Sequence, residues 1–281
     1  MTATSDKILR VGHSPDADDA YMFYALAKEA VTLPGYRIQH VIEDIQSLNQ
    51  RALNADLEIT AISAAVYPLV AKDYWILNSG SSVGRKYGPV LVAKKAQKLS
   101  DFKGKKIAVP GKFTTAFLLL QIFLDDFVAV QMDFKEVIGA VQNGTVEAGI
   151  VIHEGQLNFA DFKLEKCEDL GELWHEKYNL PIPLGLDVVR KNLGRETAGK
   201  MQKALHESIV YARENEDGAL EYAAQYGRGT VGKTLRDFVR MYVNEDTLDL
   251  GSEGKSALEL LFKLGSEKKL FPAIPNIEII Y

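Results

Sequence analysis

A chain of 281 residues, 47% hydrophobic and 25% charged, has ordinary globular composition and the length for two modest domains or one large one. The formal net charge of −5, with lysine and arginine only in short interrupted clusters, excludes a nucleic-acid-binding stripe. One cysteine, Cys167, excludes an internal disulfide and offers no metal framework. No run approaches the roughly 20 apolar residues that span a bilayer, and MTATSDK lacks the basic start and apolar core of a secretory signal. A cytoplasmic protein is expected, with neither nucleic acid nor membrane as partner; monomer and homodimer stay open.

Residues 8–12 read as a short strand. The loop His13-Ser14-Pro15-Asp16-Ala17-Asp18-Asp19 follows, then helical composition over 20–28, with Asp18 as the expected N-cap and Asp19 favouring the positive helix end. Residues 36–42 alternate as a strand, 45–54 form an amphipathic helix, and 57–62 make a strand that ends in Ser63. The order then recurs. A strand over 106–109 leads through the loop PGKFTT into a helix over 116–124, a strand over 128–132 and a helix over 134–142. The strand over 146–152 closes the unit and ends in His153.

The texture repeats too. ALNADLEITAIS (52–63) and AVQNGTVEAGIVIH (140–153) each run a helix into Asn, a turn, an acidic residue and a strand. A doubled βαβαβ unit predicts two similar α/β lobes. Extended segments at 90–93 and 184–189 predict antiparallel crossovers that form a hinge. Residues 196–214, 218–225, 231–243 and 252–268 are helical and read as packing for the first lobe. The expected division is a large lobe of residues 1–90 plus 188–281 and a small lobe of residues 91–187.

Open α/β sheets bind ligands beyond the carboxyl ends of their strands, so the expected site is the cleft between the lobes. The run Ala148-Gly149-Ile150-Val151-Ile152 has the small and β-branched content of a strand buried on both faces. It delivers His153, a side chain able to exchange a proton near neutral pH. The loop Gly111-Lys112-Phe113-Thr114-Thr115 opens a helix, and free N–H groups with two hydroxyls make an anion site suited to a carboxylate. The spacing is not that of a phosphate loop.

Ser63 is expected to hydrogen-bond substrate rather than act as a nucleophile, since no GxSxG elbow surrounds it. Ser14 belongs to a loop with one histidine and three carboxylates, where Asp18 and Asp19 serve the helix start better than a metal. Arg85 stands just before the hinge and is expected to pair with a substrate carboxylate or hydroxyls. His40, His175 and His206 show no ligand-like partner nearby in sequence.

The segments GHSPDADDAYMFYAL, IEDIQSLNQRAL, VPGKFTTAFLLL, VEAGIVIHEGQ and LPIPLG together resemble the 1,4-dihydroxy-6-naphthoate synthase family of the futalosine route to menaquinone. The resemblance covers nearly the whole chain. It implies an α/β, two-lobed fold of the periplasmic-binding-protein-like type 2, with two mixed sheets, a hinge and C-terminal helices. It also implies a carbon–carbon lyase acting on cyclic de-hypoxanthine futalosine, a small-molecule carboxylate, without metal or organic cofactor. Non-catalytic solute binding and chorismate dehydration are the alternatives on the same fold. By position, the family's general base falls on His153 and its substrate-binding segments on Ala61, Ile62 and Ser63 and on Thr114 and Thr115. The family loop usually reads SPCPNDTF; here Asp16 and Asp18 replace its cysteine and asparagine, and Ala20 its threonine. Asp16 is expected near the ligand, Asp18 in a structural post.

Overall fold

The computed structural model describes residues 7–153, 155–227 and 230–281. Its strands, in chain order, are β1 (Lys7–His13), β2 (Tyr36–Ile42), β3 (Ile59–Ser63), β4 (Tyr74–Leu77), β5 (Ser82–Gly84) and β6 (Val90–Ala93). They continue with β7 (Lys106–Val109), β8 (Val128–Gln131), β9 (Ala148–Val151), β10 (Glu165–Asp169), β11 (Ile182–Arg190) and β12 (Ile279–Ile280).

Two mixed sheets result. The first runs β12-β4-β11-β3-β1-β2, with β5 also paired to β11; the second runs β10-β6-β9-β7-β8. In each sheet three strands of one βαβαβ unit lie parallel, β2-β1-β3 in the first and β8-β7-β9 in the second. An antiparallel strand joins each set, β11 against β3 and β6 against β9. Each of those strands enters its sheet after the chain has crossed from the other one. The expected boundary at 187/188 runs through β11, all of which pairs within the first sheet.

The repeat is visible in backbone detail. In the second lobe the helix Phe134–Asn143 stops at Gly144, whose φ of 74° is left-handed; in the first lobe Ala55, after Asn54, takes φ 50°. A Cβ strains that conformation, so glycine fits it more cheaply than alanine. Gly149, in the middle of β9, lets the helix Phe134–Asn143 lie directly on the strand. A Cβ there would stand 2.5 Å from Val137 Cγ1.

A core cluster including Tyr67, Trp174 and Phe262 takes residues from both lobes, among them Ile62, Leu91, Ile107 and Ile150. A second joins the first sheet to the helices Gly194–Glu214 and Gly232–Tyr242, through Val11, Phe23, Met201, Leu205 and Phe238.

Three details differ from the sequence reading. The helix expected over 20–28 is two short pieces, Ala17–Met22 and Tyr24–Ala27, and the N-cap position falls on Asp16 rather than Asp18, without a side-chain cap bond. The helix Gly251–Glu267 does not serve the first lobe alone. Its Leu258, Leu261 and Phe262 share a cluster with Leu118 and Leu119 of the second lobe, and Lys268 pairs with Asp125 at 2.5 Å. Strands β4, β5 and β12 were not anticipated; each is four residues or fewer, too short for periodicity to register.

Candidate functional site

A cavity of about 760 Å³, open solvent included, is lined by residues of both lobes. Its walls are the ends of strands and the starts of helices. From the first lobe come Ser14, Asp16, Asp18 and Asp19 after β1, and Ala61, Ile62 and Ser63 at the end of β3. From the second come Thr114, Thr115 and Ala116, then Ile152, His153 and Gln156. Leu184 to Leu186 of β11 and the aromatic rings of Phe238 and Tyr242 complete the lining.

His153 lies two residues beyond the end of β9 and holds a left-handed φ of 55°, a backbone position that costs energy in a residue with a Cβ and is common at functional sites. Its carbonyl accepts from Gln156 N–H at 3.1 Å. Its ring meets Phe134 edge to face, with centroids 5.0 Å apart. Nδ1 lies 3.3 Å from Asp16 Oδ2. Ser14 Oγ–H donates to the same Asp16 oxygen at 2.6 Å, and Ser14 N–H donates to Asp19 Oδ2, also at 2.6 Å.

Burial, with Asp16 as a neighbouring like charge, pushes the Asp19 carboxyl up to about 7 against the hydrogen bonds from Ser14. Asp187, buried in β11, is raised well above the carboxylate range by desolvation and then by Asp19. Among the described residues neither of its oxygens has a hydrogen-bond partner. A lone carboxylate in the apolar run LGLDVV was the sequence signal for Asp187.

The two threonines sit in the wall, but their hydroxyls are committed within the protein. Thr114 is the N-cap of the helix Thr115–Phe123; its Oγ1 donates to Gly111 O at 2.8 Å and accepts from Phe117 N–H at 3.2 Å. Thr115 Oγ1 ties the lobes, donating to Leu184 O at 2.7 Å and accepting from Ala65 N–H at 3.2 Å. What this helix start offers an anion is its main chain at Thr115 and Ala116, which precede any intrahelical acceptor.

Ser63 is held by Asn49, whose Oδ1 accepts from Ser63 N–H at 2.8 Å and whose Nδ2 donates to Ser63 Oγ at 3.0 Å. The hydroxyl proton therefore remains to be given elsewhere. Asn49 carries no sequence signal of this role.

Arg85 corrects an expectation. Its guanidinium donates to both oxygens of Asp246, at 2.6 and 2.8 Å, and to Glu253 at 2.9 Å, and it does not line the cavity. Two carboxylates from the C-terminal segment satisfy it, so it ties the end of β5 to that segment. Buried His13 and half-buried His40 pair, Nε2 to Nδ1 at 3.0 Å, with His13 stacked on Phe23. Burial and then the His40 neighbour lower His13 to about 4, so it stays neutral near pH 7. Among the described residues no three His, Cys, Asp or Glu side chains converge as a metal-binding group, and no helix is long and apolar enough to cross a membrane.

Residues 9–267 match a family described as menaquinone biosynthesis. The chain belongs to the menaquinone-biosynthesis family. It is 36% identical to the 1,4-dihydroxy-6-naphthoate synthase of Thermus thermophilus, over 95% of this chain and 97% of the relative. It is 32% identical to the enzyme of that name from Streptomyces coelicolor, over 95% of each chain. This places it among the enzymes of the family, with a role in menaquinone biosynthesis. A crystal structure of a protein from Archaeoglobus fulgidus superposes with a TM-score of 0.90 at 45% identity, over 94% of this chain and 98% of the other. The alkanesulfonate-binding protein SsuA from Xanthomonas axonopodis, bound to MOPS, superposes with a TM-score of 0.75 at 14% identity over 98% of each chain. At that identity the likeness is one of fold alone, and the fold is periplasmic-binding-protein-like.

Proposed function

We propose that this member of the family is a carbon–carbon lyase that converts cyclic de-hypoxanthine futalosine to 1,4-dihydroxy-6-naphthoate and dihydroxyacetone. The observation that carries the reading is the position of His153, two residues beyond the end of β9, in the wall of a cavity whose lining also includes the start of the helix Thr115–Phe123. The helix start receives the substrate carboxylate on the main-chain N–H groups of Thr115 and Ala116, where the helix dipole favours negative charge. Ser63 donates its hydroxyl proton to a substrate oxygen, and Ser14, Ala61 and Ile62 complete the first-lobe wall. His153 removes a proton from a carbon of the sugar-derived ring, and the fragmentation that follows releases the three-carbon product. The two lobes move about the chain crossings at β6 and β11, and closure excludes water from the reacting carbon.

General-base catalysis contributes on the order of 10²–10⁴-fold. Purified protein mixed with cyclic de-hypoxanthine futalosine should yield dihydroxynaphthoate, followed by absorbance and mass spectrometry. His153→Ala should abolish turnover while substrate binding stays measurable. Wild-type rates in that variant would remove His153 from the chemistry, and binding without product by the unmodified protein would remove the lyase assignment.

A further inference from the structure

We propose that Asp16 is the positioning residue of His153, a carboxylate supplied by the first lobe that sets the tautomer of a base carried by the second. The inference deepens the proposed function and rests on its use of His153 as the base. The two side chains stand on different lobes and meet inside the cleft. Asp16 follows β1, and its side chain is 3% exposed; His153 follows β9, and its side chain is 19% exposed.

The arrangement has a definite polarity. Asp16 Oδ2, 3.3 Å from Nδ1, accepts a hydrogen bond from Ser14 Oγ–H at 2.6 Å. In the proposed arrangement the neutral ring turns an Nδ1–H towards this carboxylate, which can only accept. That leaves the Nε2 lone pair unprotonated for the substrate proton, and the carboxylate then steadies the imidazolium formed. Three features hold the geometry. Ser14 is fixed through its own N–H on Asp19 Oδ2, Phe134 packs edge-on against the ring, and the left-handed backbone at residue 153 directs the side chain. Low exposure keeps water from competing for the Nδ1 proton.

Because the partners come from separate lobes, the base is complete only when the lobes are together. A second bond across the same seam, Tyr242 O–H to Gln156 Oε1 at 2.6 Å, lies three residues beyond His153 in the chain. Positioning and closure are one event in this geometry.

The test reads the ring directly. In ¹⁵N-labelled protein the His153 resonances, assigned by their loss in His153→Gln, should show the neutral ring protonated at Nδ1 and bare at Nε2. Asp16→Asn turns an amide towards the ring and should abolish that preference. In turnover assays it should lower kcat by about 10²–10⁴-fold while KM stays within about threefold, and Asp16→Glu should recover part of the loss. An Nε2–H tautomer in the unmodified protein overturns the proposal, as does Asp16→Asn with kcat within about threefold of wild type. The wild-type tautomer decides the matter even where Asp16→Asn does not fold. Turnover by His153→Ala would instead overturn the assignment of the base, and leave the tautomer result standing as a statement about the ring.

Discussion

Tyr242 donates its hydroxyl proton to Gln156 Oε1 at 2.6 Å, so the C-terminal helices of the first lobe grip the short helix that follows His153. Burial pushes the phenol up, so it keeps its proton and remains a donor near neutral pH. Tyr242→Phe removes this bond without changing the packing of the ring. We expect a loss of about 1 kcal/mol in stability and ligand affinity several-fold weaker. Small-angle scattering should show less compaction on saturation than for the unmodified protein, and equal compaction in both would sever the bond from closure.

Asn49 uses its whole amide on Ser63. Asn49→Ala leaves the Ser63 N–H buried without an acceptor, which costs about 1–3 kcal/mol. It also frees the Ser63 hydroxyl to turn away from the cavity. The expected result is a raised KM with a smaller change in kcat, alongside a lowered melting temperature. A variant with normal KM would show that Ser63 orientation does not matter to binding.

Arg85 gives the opposite pattern. Asp246 has a side chain only 7% exposed and depends on the Arg85 fork, whereas the arginine itself is half in solvent. Arg85→Ala should therefore lower stability by about 1–2 kcal/mol, discounted for that exposure, and leave KM unchanged. A raised KM, measured in the same preparation as the melting curve, would return Arg85 to the substrate.

Asp187 sets a pH dependence. An acid raised in the folded state holds its proton more tightly there than in the unfolded chain. Its contribution to stability is thus fully present below the ordinary carboxylate range and drains away as pH rises towards the folded value. Asp187→Asn has no such proton. Its stability relative to wild type should grow from about pH 4 to neutrality, by at most about 1.4 kcal/mol per pH unit. Urea unfolding across that range checks it, and parallel curves for the two proteins would mean that Asp187 is ionised in the fold.

Local chemistry wrote much of this protein into its sequence. Alternation over 36–42 and the buried run that forms β9 specify strands because side-chain period and burial follow backbone geometry. The matching of ALNADLEITAIS with AVQNGTVEAGIVIH announced the doubled lobe, and the strand end placed His153 in the cleft wall. Tertiary structure decided the rest, wherever a residue's role depends on a partner distant in the chain. Arg85 was free to be assigned to substrate until Asp246 and Glu253 arrived beside it. Asp18 had the composition of an N-cap, yet the chain entered the helix two residues earlier, at Asp16. The meeting of Asp16 with His153 has no local signature at all, because the proximity is made by two sheets packed across a cleft and by no property of either residue's neighbours in sequence.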